Sequence, residues 1–100
     1  MKINFDEELK ELDGSVIADK VNGSELAFTF KTACVRALTT PMQEDAALKG
    51  EDAFKRLELA RKINKGGEQE IDAADAVLIR DRAAKMFGIL VSGQVYEKLR

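Results

Sequence analysis

The sequence predicts an α+β domain in which an N-terminal β-hairpin or short meander packs on three to four helices. Three observations carry this prediction. Asp13-Gly14 and Asn22-Gly23-Ser24 are turn signals set close together near the start. From Thr29 onward the apolar residues recur at helical rather than alternating spacing. The chain has 100 residues, one core's worth, so a hairpin region (1–28) and a helical region (29–100) are expected to share a single domain. Hydrophobic residues at 45% and charged residues at 34% fit a folded chain rather than a disordered one.

Asp13-Gly14 suits a two-residue type I′ turn, in which both central residues need φ > 0. Glu8–Leu12 would enter that turn and Ser15–Ala18 would leave it. Asn22-Gly23-Ser24 then returns the chain through Glu25–Phe28 as a third short strand. Leu26, Phe28 and Phe30 alternate like a strand, yet Phe30, Ala33, Cys34, Ala37 and Leu38 form a helical stripe. Thr29 as N-cap resolves the conflict: strand to about Phe28, helix to about Thr39, closed by Pro41. Residues 41–50 read as a surface connection with one helical turn at Glu44–Leu48.

A second helix is expected over 51–64. Glu51 and Asp52 suit its first turn, Arg61, Lys62 and Lys65 its last, and Gly66 stops it. Its inner stripe reads as Phe54, Leu57, Ala60 or Arg61, and Ile63. Asp72 caps a third helix from about 73 to Phe87, with Ala76, Ile79, Ala83, Met86 and Phe87 inward. Arg80, Asp81, Arg82 and Lys85 are expected to face out. Gly88 breaks it, and a last helix carries Val91, Val95 and Leu99, with Tyr96 beside them.

Composition removes whole classes of chemistry. Without His there is no Ser-His or Cys-His nucleophile pair and no imidazole ligand; with one Cys there is no disulfide framework and no Cys-based zinc or iron–sulfur site. Cys34 falls on the apolar stripe of the first helix, where a buried, inert thiol is expected. No cofactor motif is present, and the expectation is a non-enzyme with neither metal nor cofactor. The twelve residues Asn64–Asp75 have the length of a calcium loop. Gly66, Glu68 and Gln69, at its third, fifth and sixth positions, are the wrong types, so a polar loop before an Asp-capped helix is expected. Gly66-Gly67 is followed by Glu68, Glu70 and Asp72, which would repel a phosphate.

The formal charge is −2, too balanced for a dedicated nucleic-acid binder. The early acids Asp6, Glu7, Glu8, Glu11 and Asp13 read as a solvated face. Lys55, Arg61, Lys62 and Lys65, with Arg56, are the candidate nucleic-acid residues, diluted by Glu51, Asp52 and Glu58. No apolar run approaches the roughly 18 residues that span a bilayer. Residues 1–8 turn acidic where a signal peptide needs an apolar stretch, so a cytoplasmic protein without a membrane partner is expected.

The C-terminal segment is the most interaction-like. Met86, Phe87, Ile89, Leu90, Val91, Val95, Tyr96 and Leu99 crowd together, and Ile89-Leu90-Val91 cannot all face one small core. Met86, Leu90, Val91 and Tyr96 are therefore the candidate partner-binding residues, for self-association or for another protein.

Several stretches carry a resemblance of order and pattern. They are Leu12-Asp13-Gly14, Leu26 leading into a helix that ends Ala37-Leu38, and Phe54-Lys55-Arg56-Leu57 followed by Leu59-Ala60 and Ile63. Further on come Ile71-Asp72-Ala73-Ala74-Asp75 and Val91-Ser92-Gly93-Gln94-Val95-Tyr96-Glu97-Lys98-Leu99. With these the chain resembles small proteins of tailed bacteriophages and prophages, of about this length and largely unassigned function. Ile89 departs from the resemblance, since similar chains favour Pro there. The resemblance implies a phage or prophage origin and a bacterial host's cytoplasm, and carries over no catalytic residues. The expected function is a non-enzymatic accessory protein that binds protein, as a virion assembly factor or a host-factor binder. The alternative is a nucleic-acid-associated factor using the basic helix 51–65.

Overall fold

The structure, a computed structural model, describes residues 1–21 and 24–100. Its elements run β1 (Lys2–Asn4), β2 (Ala18–Val21), β3 (Ser24–Ala27), α1 (Phe30–Thr39), a 3₁₀ turn (Gln43–Ala47), α2 (Gly50–Asn64), β4 (Glu68–Glu70), α3 (Ala73–Met86) and α4 (Ile89–Leu99). The α+β architecture is the one expected from the sequence.

The Asp13-Gly14 turn forms, but as a three-residue loop. Glu11 N–H donates to the Ser15 carbonyl (2.7 Å) and Gly14 N–H to the Glu11 carbonyl (3.0 Å), so Leu12 joins the loop. Gly14 sits at φ +90°, the left-handed residue that such a loop requires. The Asp13 carboxylate accepts from the hydroxyl and the backbone N–H of Ser15, which lowers its pKa. The predicted turn at Asn22-Gly23 lies outside the described residues. Ala18–Val21 and Ser24–Ala27 pair antiparallel in register Ala18↔Ala27.

Three segments meet at one point in this region. Leu9 N–H donates to the Phe28 carbonyl (3.0 Å), Phe28 N–H to Ile17 (2.7 Å), and Ile17 N–H back to Leu9 (3.0 Å). Leu9 and Phe28 are buried there, and Ile17 packs against the core.

α1 begins where predicted. Thr29 Oγ1 accepts from Thr32 N–H, while the carbonyls of Glu7 and Phe5 accept from Phe30 and Lys31 N–H. The helix's free donors are thus met within the chain. Phe30, Ala33, Cys34, Ala37 and Leu38 are all buried, as their spacing predicts. The Phe5 and Phe30 rings stack beneath them at 5.1 Å.

The sequence did not suggest β1 and β4. They pair antiparallel, Ile3 opposite Gln69. Consecutive left-handed glycines, Gly66 at φ +74° and Gly67 at φ +67°, turn the chain from α2 into β4. The Asp6 carboxylate packs so closely on Gly66 that a Cβ there would lie 2.6 Å from Asp6 Oδ1. The segment read as a polar loop therefore contains a strand, and Asp72 caps α3 as expected by accepting from Asp75 N–H (2.8 Å).

Two helix faces differ from expectation. On α2 the buried residues are Leu59, Ala60 and Ile63, whereas Phe54 is 60% exposed and Leu57 is also exposed. At about 100° per residue, Phe54 lies about 180° from Ile63, so one helix cannot bury both. On α3, Arg82 does not face out. It shares the inward face with Ile79 and Ala83 and is 2% exposed. Both corrections bear on the site.

Candidate functional site

The buried guanidinium of Arg82 organises the corner where α1 ends. Nε donates to the Ala37 carbonyl and Nη2 to the Thr40 carbonyl (3.0 Å), two groups at the end of α1. Nη1 and Nη2 grip both oxygens of Asp45 (2.8 and 3.0 Å), and Nη1 also reaches Glu44 (3.3 Å). Arg56 of α2 binds Asp45 Oδ1 at 2.9 Å, Met42 N–H donates to Oδ2, and Lys85 pairs with Glu44. The Arg82 hydrogen bond and then the Met42 N–H hold the Asp45 carboxyl well below the usual carboxylate range. Among the described residues no buried side-chain nitrogen or oxygen lacks a hydrogen-bond partner, and the cluster only borders shallow surface pockets, Asp45 and Arg56 on one and Glu44 and Lys85 on another. It fastens the 41–50 connection to α1, α2 and α3; it does not resemble a reaction centre.

The four candidate nucleic-acid residues come together. Lys55, Arg61, Lys62 and Lys65 line one open groove of about 840 Å³ with Phe54, Glu58, Leu59, Gln69 and Asp75. Their charge is partly spent. Lys55 pairs with Glu51 (3.5 Å), Arg61 with Glu58 (2.8 Å), and Lys62 donates to the Glu70 carbonyl. Glu58 stands four residues before Lys62, at the spacing of a helical ion pair, but Arg61, one residue nearer, takes its carboxylate. Burial raises the pKa of Asp75, and the charge of Asp72 adds to this against the pull of Lys62.

The four candidate partner-binding residues are spread over two surroundings. Tyr96 is 57% exposed, with the Arg80 guanidinium 5.0 Å from its ring centroid. Met86 and Leu90 are half-buried, and Val91 packs against the core. The Ile89-Leu90-Val91 run does divide, and the residue left outermost is Ile89, at 91% exposure. It has a counterpart that the sequence reading did not nominate: Leu12, at the tip of the first hairpin, is 97% exposed. Gln94 ties the two elements together. Its Oε1 accepts from Lys10 N–H (2.9 Å) and its Nε2 donates to the Lys10 carbonyl (2.8 Å). Leu12 carried no sequence signal of this exposure: before a two-residue Asp13-Gly14 turn it would end a strand, and only the three-residue loop releases it to water.

Burial pushes the Cys34 thiol pKa far up, away from thiolate chemistry. Among the described residues no group of three or more Cys, Asp or Glu is placed to hold a metal ion. No helix among them is long and apolar enough to cross a membrane. Comparison with known protein families, with curated proteins and with solved structures finds no match to this chain.

Proposed function

We propose that this protein is a non-enzymatic accessory protein of phage or prophage type that acts in a bacterial host's cytoplasm by binding protein. The single observation behind this reading is the pair Leu12 and Ile89, two large apolar side chains left almost wholly in water on elements that the Lys10–Gln94 clamp holds together. An apolar side chain on a fixed loop contributes to binding without first being ordered. Leu90, Met86 and Tyr96, on the same helix or just before it, supply the surrounding surface, and Val91 supports it from beneath.

The test is capture from a bacterial host lysate on immobilised protein, comparing the natural chain with a Leu12→Asp/Ile89→Asp variant of unchanged melting temperature. A protein retained by the first and lost from the second supports the reading. Equal retention by both, or retention by neither, overturns it.

A nucleic-acid-associated factor is the second reading. What favours it is Phe54, which stands outside the core beside Lys55, Arg61, Lys62 and Lys65 and so offers a ring on which a base could stack. Against it stand Glu51, Glu58 and Asp75 on or beside the same surface.

A further inference from the structure

We infer that the outer face of α2 is a dimer interface whose occupant is α2 of a second copy of this chain, lying antiparallel across a two-fold axis. This face belongs to a different helix from the Leu12–Ile89 surface, and the dimer stands or falls independently of that reading; it occupies the face that the nucleic-acid reading would use, and the two exclude each other in the test below.

A two-fold interface must be complementary to itself. The outer face of α2 has that property. Phe54 and Leu57 on it are both exposed, and Glu58 stands beside them. Its N-terminal end carries Glu51 and its C-terminal end carries Arg61 and Lys65, on the same side of the helix. Antiparallel pairing lays Glu51 of each copy over Lys65 of the other and brings Phe54 beside the Arg61 guanidinium of the second copy. That register sets the two Glu58 side chains side by side at the axis, where each keeps its own Arg61 (2.8 Å) as counter-charge.

Among the described residues little competes for Glu51 and Lys65. The Glu51–Lys55 pair is long (3.5 Å) and its side chains are more than two-thirds exposed, so it is easily exchanged. Lys65 has no ion-pair partner among the described residues. Two exposed apolar side chains set among charges of both signs suit a protein partner, whereas a nucleic-acid surface carries one sign. α2 is about 22 Å long at 1.5 Å per residue. A single helix pair of this length makes a small interface, so the dimer is expected to be reversible and concentration-dependent.

Sedimentation equilibrium of the full chain over a wide concentration series, read at 230 and 260 nm, tests this. The mass should rise from one chain to two without added 260 nm absorbance. Phe54→Asp and Leu57→Asp should each raise the dissociation constant by about tenfold or more. Glu51→Arg and Lys65→Glu should each weaken the dimer, and their combination should restore it. Three results would overturn the inference: a monomer at every concentration, a mass increase confined to fractions absorbing at 260 nm, or a double charge variant no tighter than its parents. A dimer unmoved by both aspartate variants, with circular dichroism unchanged, overturns it equally. Should an aspartate variant unfold, the charge-reversal set decides, because both of its side chains are exposed.

Discussion

α2 and α3 both depart from the pattern their sequences suggest, and they do so in opposite directions. α3 turns a charged residue, Arg82, into the core; α2 turns an aromatic one, Phe54, out of it. The two exceptions differ in what accounts for them. Arg82 is answered inside the chain by two carbonyls at the end of α1, by Asp45 and by Glu44. Phe54 has no such internal account. Arg82, with its full set of partners, explains part of the fold, and Phe54 is the side chain that the proposed dimer would cover.

The sharpest way to break this contrast is Arg82→Ala. It leaves two carbonyls at the end of α1 without their donor, and takes from Asp45 its two-pronged partner while Arg56 and the Met42 N–H remain. It also removes a buried side chain, so it should cost about 3–5 kcal/mol in urea unfolding. A loss below 1 kcal/mol would mean that the corner is ornamental. Next comes Leu59→Ala, on the buried side of the helix that exposes Phe54. It should cost about 2–4 kcal/mol by the same measurement, as a cavity in a packed core does.

Asp45→Asn tests the cluster through pH. The folded-state pKa of Asp45 is depressed, so its contribution is present above the ordinary carboxylate pKa of about 3.9 and is lost as pH falls below it. Melting temperature followed from pH 7 down to pH 2.5 should therefore fall less steeply at the acid end in the variant than in the natural chain. The smallest effect belongs to Phe54→Ser. At concentrations where the chain is monomeric it should change stability by under about 0.5 kcal/mol, as an exposed substitution does. A loss comparable to that of Leu59→Ala would show that Phe54 packs within its own chain.

Legibility in the sequence followed the range of the interaction. Thr29 and Asp72 were readable as caps because a cap acts within three residues, and Gly66 and Gly88 as breaks because backbone freedom is local. The five-residue stripe of α1 was readable because Thr29, as a cap, settles its competition with the Leu26–Phe28–Phe30 alternation. On α2 the sequence offers two stripes, Phe54–Leu57–Arg61 and Leu59–Ala60–Ile63. Spacing alone cannot say which one meets α1. Arg82 was misread because charge is a good guide to exposure only when no partner waits inside, and Asp45 comes from a distant part of the chain. The β1–β4 pair was invisible for a related reason. Glu68-Gln69-Glu70 has no apolar pattern of its own, and its partner lies at the other end of the sequence. Of the candidate residues, the four basic ones do share a groove, while the exposures of Ile89 and Leu12 depend on which neighbours the last helix finds.

The ring of hydrogen bonds through Leu9, Ile17 and Phe28 sets what kind of change the first third of the chain can absorb. Each segment gives one bond and takes one, so no two of them form the ring without the third. Sliding any segment by a single residue offsets its donor and acceptor together and turns its side chains to the wrong face. Lengthening the turn between Glu11 and Ser15 leaves all three bonds where they are, and each doubling of a flexible loop costs only about 0.6 kcal/mol. Insertions at the hairpin tip are therefore tolerated where a one-residue deletion between Leu9 and the tip, or between the tip and Ile17, is not.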